Sequence, residues 1–246
     1  MKLGIIFIGT NKYADFFKLY YPACEEYLAP TAEKHYIAFT DQDDNEIFQK
    51  DRVTVAKIKH YPWPYITLLR FKFISKVLNI LEDMDYCLFI DADLIPQSPI
   101  SLEEIFGDKS LVGVCHPGFI NNVGPFETNI HSTAGVLNEH LNLSTYCQGC
   151  LWGGRKNDFF QMVKVLSERV EKDLSNNLIA AWHDESHMNR YFAERRNQVH
   201  TLHPGFATPE QGYDHVKKEY ETKMLHLHKD MKDYPRFEGA GHGRLK

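Results

Sequence analysis

The chain has 246 residues, 43% hydrophobic and 25% charged, enough to bury a core in one large domain or two small ones. A formal net charge of −5 excludes a global basic field that would draw it to nucleic acid or an anionic membrane. No apolar run approaches the roughly 18–20 residues of a membrane span, and the start is too short and polar for a signal peptide, so the chain reads as soluble.

Apolar runs bounded by turn residues recur along the first half. Leu3 to Ile8 reads as a buried strand ending in the Gly9-Thr10-Asn11 loop, and Tyr13 to Tyr27 as a helix with Phe16, Phe17, Leu19, Tyr20 and Cys24 at helical spacing. His35 to Phe39 and Val53 to Ile58 read as further strands. Thr67 to Leu81 predicts a single helix with Leu68, Phe71, Ile74, Leu78 and Leu81 on one stripe. Tyr86 to Ile90 is a short apolar strand. Strands alternating with helices predict an α/β sheet covered on both faces, with ligands at the carboxyl ends of its strands. The Gly9-Thr10 loop and the Asp91-Ala92-Asp93 turn both fall at such ends. Further on, Leu111 to Cys115 predicts a strand, Pro117 to Leu143 is loop-rich, and Phe159 to Lys172 and Glu185 to Glu194 predict helices. No linker separates two domains. Residues 1–97 read as a nucleotide-binding half, 98–216 as an acceptor and sugar half, and 217–246 as a charged tail whose glycine-rich end is mobile.

The five cysteines are odd in number, and Cys147 and Cys150 stand at CxxC spacing with no second pair to complete a zinc site. They read as reduced thiols of a cytoplasmic protein. The thirteen His residues, with no HExxH pair, read mostly as surface or hydrogen-bonding groups.

Three segments bear chemistry. Asp91-Ala92-Asp93 follows an apolar strand, and two carboxylates placed on one side repel unless a cation lies between them. Hard oxygen ligands favour Mn²⁺ or Mg²⁺, with substrate phosphates completing the shell; the alternative is a solvated acidic turn. Trp182-His183-Asp184-Glu185-Ser186-His187 sets two acids at a helix start, where Asp184 reads as the cap and Glu185 lies in the first turn. A carboxylate so held suits nucleophilic or acid–base work. Tyr146 to Gly154 mixes aromatics with glycine, which fits a tight packed turn or a backbone that approaches a ligand closely.

Together with His116-Pro117-Gly118-Phe119, these segments resemble glycosyltransferase family 6, the family of the histo-blood-group A and B transferases and α-1,3-galactosyltransferase. The likeness runs along essentially the whole chain, in the short form of bacterial members that lack the Golgi anchor. It implies a GT-A fold, a Rossmann-like mixed sheet flanked by helices. It also implies retaining transfer of galactose or N-acetylgalactosamine from UDP to the 3-OH of a galactoside. By resemblance Phe7, Ile8, Gly9, Thr10 and Tyr13 cradle uracil and ribose, and Arg70 lies against the donor. Asp91, Ala92 and Asp93 form the metal and UDP site, with Asp91 and Asp93 as ligands. Gln148, Gly149 and Cys150 fall in the segment that chooses the donor sugar, and Asp184 binds the transferred sugar. Lys229 and Arg236 close on the diphosphate. Glu185 matches the proposed nucleophile or oxocarbenium stabiliser, and His116, Phe119, Trp182 and Glu185 lie at the acceptor.

Many bacterial relatives carry Asn-x-Asn in place of Asp-x-Asp, so the intact motif implies metal dependence here. Cys150 is bulkier than the usual Gly or Ala, which crowds an N-acetyl group and favours galactose. Phe126 to His131 departs from the family pattern, which bears on acceptor choice. Two rivals stand beside this reading: a UDP-sugar-binding protein without turnover, and a metal-dependent phosphatase. Against the first, both acidic constellations are intact; against the second, the Asp-x-Asp lies mid-chain.

Overall fold

The computed structural model describes residues 1–230. Among them are the strands β1 (Lys2–Ile8), β2 (Glu33–Thr40), β3 (Val53–Lys57), β4 (Tyr86–Ile90), β5 (Leu94–Pro96), β6 (Leu111–Cys115), β7 (Cys147–Arg155), β8 (Val199–Leu202), β9 (Thr208–Pro209) and β10 (Met224–His226). The helices are α1 (Phe17–Tyr27), α2 (Tyr65–Leu68), α3 (Arg70–Ser75), α4 (Leu102–Phe106), α5 (Asn138–Leu141), α6 (Lys156–Ser175), α7 (His183–Glu194) and α8 (Asp214–Glu219).

β1 and β4 are apolar on both faces, which is why they lie inside the sheet. Successive side chains alternate in direction. Ile5, Phe7, Leu88 and Ile90 therefore enter one core with Phe17, Tyr20 and Cys24 of α1, while Ile6, Cys87 and Phe89 enter the other with Phe71 of α3 and Phe159 of α6. The seven-stranded sheet runs β3-β2-β1-β4-β7-β6-β8. Its β3-β2-β1-β4 portion is parallel, and β7 is antiparallel to both β4 and β6. The chain winds outward from β1 to β3, then returns to place β4 on the other side of β1. The loops after β1 and β4 thus diverge over the kind of crevice where open α/β sheets bind ligands.

β7 corrects the reading of Tyr146 to Gly154 as a turn. Its glycines permit close strand approach: a Cβ on Gly153 would lie 2.3 Å from the Cys87 carbonyl oxygen, and one on Gly154 2.6 Å from that of Ser110. Gly153→Ala is expected to cost about 1–3 kcal/mol by overpacking, lowering the melting temperature by roughly 2–12 °C. A thermal melt within 1 °C or so of wild type would contradict that close approach.

The single helix expected over Thr67–Leu81 is interrupted. Leu69, at φ −88° and ψ 3°, separates α2 from α3, and after Ser75 the chain tightens into a 3-10 turn over Leu78–Leu81. Residues 217–230, read from sequence as tail, carry the end of α8 and all of β10. β10 pairs antiparallel with β5 and parallel with β9, making a second, three-stranded sheet against the Asp-x-Asp turn. The glycine-rich end and Arg236 lie outside the described residues. No helix among the described residues is long and apolar enough to cross a membrane. All five cysteines are free and buried.

Candidate active site

Because β7 runs antiparallel to β4, its beginning lies beside the end of β4, and the Asp91 amide donates to the Cys150 carbonyl at 2.8 Å. The start of α7 meets the same place. Asn189 on α7 grips β7 through both ends of its amide, accepting from Cys147 N–H and donating to Cys147 C=O, each at 2.8 Å. Asp91, Arg70, Gln148, Gly149, Cys150, Trp182, Asp184 and Glu185 consequently line one cavity of about 180 Å³, with Trp63, Thr67 and His183. The first eight are the residues to which the sequence points, and they come from four separate segments.

Arg70 joins those segments. Its side chain is buried, 3.5 Å from Asp91 and 3.2 Å from Asp184, donates to the Gly149 carbonyl at 2.9 Å, and lies over the Phe89 ring. Asp184 is therefore not the helix cap expected from sequence. The cap position belongs to Trp182, without a side-chain bond, and the Asp184 carboxylate turns to Arg70 instead.

Glu185 sits between two donors. The Tyr146 hydroxyl donates to Oε1 and the Gly149 N–H to Oε2, both at 2.7 Å. Burial raises its carboxyl; the Tyr146 and Gly149 bonds pull against this, Asp184 adds to it, Arg70 opposes it, and the outcome is about 7. Tyr146 in turn packs against Phe119 (5.5 Å between centroids) and His116 (6.0 Å). Those two expected acceptor residues thus stand behind Glu185, with Tyr146 between. Burial pushes the His116 imidazole down to about 4, so it is neutral near pH 7, and its Nδ1 accepts from Gly118 N–H.

On the other side of Asp91 lies Asp93, almost fully buried. Ligand atoms of Asp91, Asp93 and His226 all fall within 4.8 Å of one another. Lys229 Nζ is bonded to Asp93 Oδ2 and also lies 5.2 Å from the Tyr13 ring centroid. Burial raises both carboxyls, but His226 and Lys229 outweigh it at Asp93 and hold that acid well below the usual carboxylate range. At Asp91 burial prevails over Arg70 and the acid is raised. Two acids and an imidazole at this spacing, beside a cationic side chain, are a donor set that suits a divalent cation.

The first-strand loop is placed less uniformly. Thr10 Oγ1 bonds His60 Nδ1 at 2.9 Å, and Gly9 is confined, since a Cβ there would meet the Phe7 ring at 2.6 Å and the Tyr13 carbonyl oxygen at 2.8 Å. Ile8 packs against the second core. The Phe7 ring is fully buried among Phe17, Tyr20 and Phe48, which leaves its side chain no surface to offer a nucleotide.

Of Tyr146, Asn189 and His226, the sequence places only Tyr146 in a chemistry-bearing segment, and it gives none of the three a role. His226-Leu227-His228 is a His-x-His pair, and that pattern was the available signal for the third residue.

A mixed α/β sheet whose β4 runs directly into an Asp-x-Asp turn, with an acid pair lining the same cavity, is consistent with a GT-A fold. Comparison with known proteins narrows the class: the profile of glycosyltransferase family 6 matches residues 1–236, and the chain belongs to that family. It is 33% identical over 197 residues to the O-antigen biosynthesis glycosyltransferase WbnI of Escherichia coli, covering 78% of this chain and 82% of that protein. It is 26% identical over 203 residues to the mouse globoside α-1,3-N-acetylgalactosaminyltransferase 1, covering 78% and 57% respectively. Identity to the rat histo-blood group ABO system transferase 2 is 24% over 199 residues, covering 77% and 58%. The match thus spans little more than half the length of these animal relatives. Family membership implies a nucleotide-sugar donor and a glycan acceptor.

Proposed function

We propose that this glycosyltransferase moves galactose or N-acetylgalactosamine from a UDP-sugar to the 3-OH of a galactoside, with retention, and needs Mn²⁺ or Mg²⁺. The observation that carries this is the opposition of Glu185 and Asp91 across one cavity, with Arg70 between Asp91 and Asp184. The activity named for the mouse relative, α-1,3-N-acetylgalactosaminyl transfer, supports the linkage and one of the two sugars.

Asp91 and Asp93 would hold the cation, which supplies charge neutralisation for the departing diphosphate. Lys229 leaves Asp93 for the phosphates, and Arg236 assists it. Gly9, Thr10 and Tyr13 bind the nucleoside, with the backbone of Phe7 and Ile8 beneath. Gln148 Oε1 is buried without a hydrogen-bond partner among the described residues and accepts from a sugar hydroxyl. Asp184, held by Arg70, accepts from another. Cys150 is fully buried beside the sugar and narrows the space for an N-acetyl group, favouring galactose. Glu185 faces the anomeric carbon from the side opposite UDP, and Trp182, His116 and Phe119 shape the acceptor side.

The test is a screen of UDP-galactose and UDP-N-acetylgalactosamine against plain and fucosylated galactosides, with Mn²⁺, Mg²⁺ or EDTA. Transfer to a galactoside that EDTA abolishes and added Mn²⁺ restores is expected. Full transfer in EDTA would overturn metal dependence, and UDP-sugar binding without UDP release under any condition would overturn turnover.

A further inference from the structure

The structure assigns His226 as a third protein ligand of the cation at Asp91 and Asp93, and so as the residue that biases this site toward transition-metal ions. The inference rests on the metal-site reading of the Asp-x-Asp turn and deepens it.

The geometry is built rather than incidental. β10 pairs with β5 so that His226 stands opposite Leu94, the residue directly after Asp93. The backbone on either side of the imidazole is then fixed: Leu227 N–H donates to the Asp93 carbonyl at 2.9 Å, and Glu210 N–H donates to the His226 carbonyl at 2.9 Å. The Glu210 side chain also accepts from His228 N–H at 2.7 Å. A residue on a strand locked to the strand following the Asp-x-Asp turn has little freedom to leave it. His226 Nε2 lies 3.3 Å from Asp93 Oδ2. Metal–ligand bonds of about 2.1 Å set two ligands of one ion at most about 4.2 Å apart. A spread within 4.8 Å therefore closes with a contraction of no more than about half an ångström.

The position an ion would take is shared with a side-chain cation. Lys229 Nζ is bonded to Asp93 Oδ2 three residues beyond His226 on the same segment. A divalent ion held by Asp91, Asp93 and His226 displaces that ammonium, which becomes available to a diphosphate oxygen. The imidazole stays and the lysine moves.

An all-oxygen site suits Mg²⁺ and Ca²⁺ as well as Mn²⁺, whereas a nitrogen donor strengthens binding along the series from Mn²⁺ to Co²⁺. Exchanging the imidazole for an amide is expected to weaken Mn²⁺ and Co²⁺ binding about tenfold or more while Mg²⁺ binding changes less.

The experiment uses Mn²⁺ with UDP and reads the ion directly. Wild-type protein, unlabelled and with ¹⁵N-histidine, is examined by electron spin-echo envelope modulation, and free Mn²⁺ is titrated from its aqueous signal. Expected is a directly coordinated ¹⁴N that changes to ¹⁵N on labelling. It should be lost in His226→Gln, which binds Mn²⁺ about tenfold more weakly. Bound Mn²⁺ without coordinated nitrogen, or a histidine coupling that persists in His226→Gln, overturns the role of His226 and leaves the Asp91–Asp93 site standing. Failure of wild type to bind Mn²⁺ overturns the underlying metal site as well. Should His226→Gln not fold by circular dichroism, His226→Asn takes its place in the same measurements, with the same outcomes deciding.

Discussion

Glu185→Gln is expected to reduce sugar transfer by roughly 10²–10⁴-fold and, at the same time, to remove a pH-dependent weakness of the fold. The carboxyl rises from 4.5 in the ordinary state to about 7 in the folded protein, chiefly through burial. The folded state therefore holds this proton more tightly than the unfolded state does. The contribution is fully favourable below 4.5, is lost as pH climbs toward 7, and is absent above that. The interval corresponds to roughly 3 kcal/mol. Gln cannot titrate, and its amide sets one donor against the Gly149 N–H, an offset of about 1–3 kcal/mol that does not vary with pH.

The measurable quantity is thus a difference of differences. Between pH 5 and pH 8, the stability of Glu185→Gln relative to wild type should improve by roughly 2–3 kcal/mol, read by urea unfolding. Other titrating groups act alike in both proteins and cancel. Parallel stability profiles would show that Glu185 is an ordinary carboxylate. Near-normal transfer by Glu185→Gln would remove it from the chemistry. Wild-type transfer should itself rise through pH 7, where this group ionises.

An acid kept at energetic cost marks a functional position more firmly than its place in a motif, and the sequence alone does not reveal that cost. What sequence revealed was local. β1 and β4 were legible because their apolar runs are continuous, and the Asp-x-Asp turn because it follows one of them. α6 and α7 were legible from helical spacing. β7 was not, because what makes Cys147 to Arg155 a strand is pairing with Tyr86–Ile90 and Leu111–Cys115, far off in the chain. Glycine content suggested a turn, where the fold used it for close strand contact.

The same limit applies to the site. Asp184 read as a cap because the helix start is visible locally, while Arg70, which takes that carboxylate, is not. His226 meets Asp93 only through the pairing of β10 with β5. Tyr146 reaches Glu185 across 39 positions. The resemblance supplied roles for residues, and the fold supplied their contacts. Phe7 shows the difference, since a position that the resemblance set against the nucleotide has its ring in the core.

Arg70→Leu is the substitution expected to cost the fold most. It leaves Asp184 and Asp91 facing a buried cavity wall without their shared cation, and strips the donor from the Gly149 carbonyl. Removing one partner from a buried ion pair costs roughly 3–5 kcal/mol, about 6–20 °C in melting temperature for a chain of this size. Arg70→Lys should rescue little, because a single ammonium cannot span two carboxylates and a carbonyl while lying flat on Phe89. Adding Asp184→Asn to Arg70→Leu should recover over half the loss, since the stranded charge is then gone. Strict additivity in this double-mutant cycle would mean the pair is not coupled. Mn²⁺ should also stabilise Arg70→Leu more than wild type, because a divalent ion at Asp91 compensates the acid that Arg70 had served. The guanidinium ties the end of β4, the start of β7 and the start of α7, so its loss is felt in stability and transfer together. Glu185 behaves oppositely: its charge opposes the fold, and its loss separates the two.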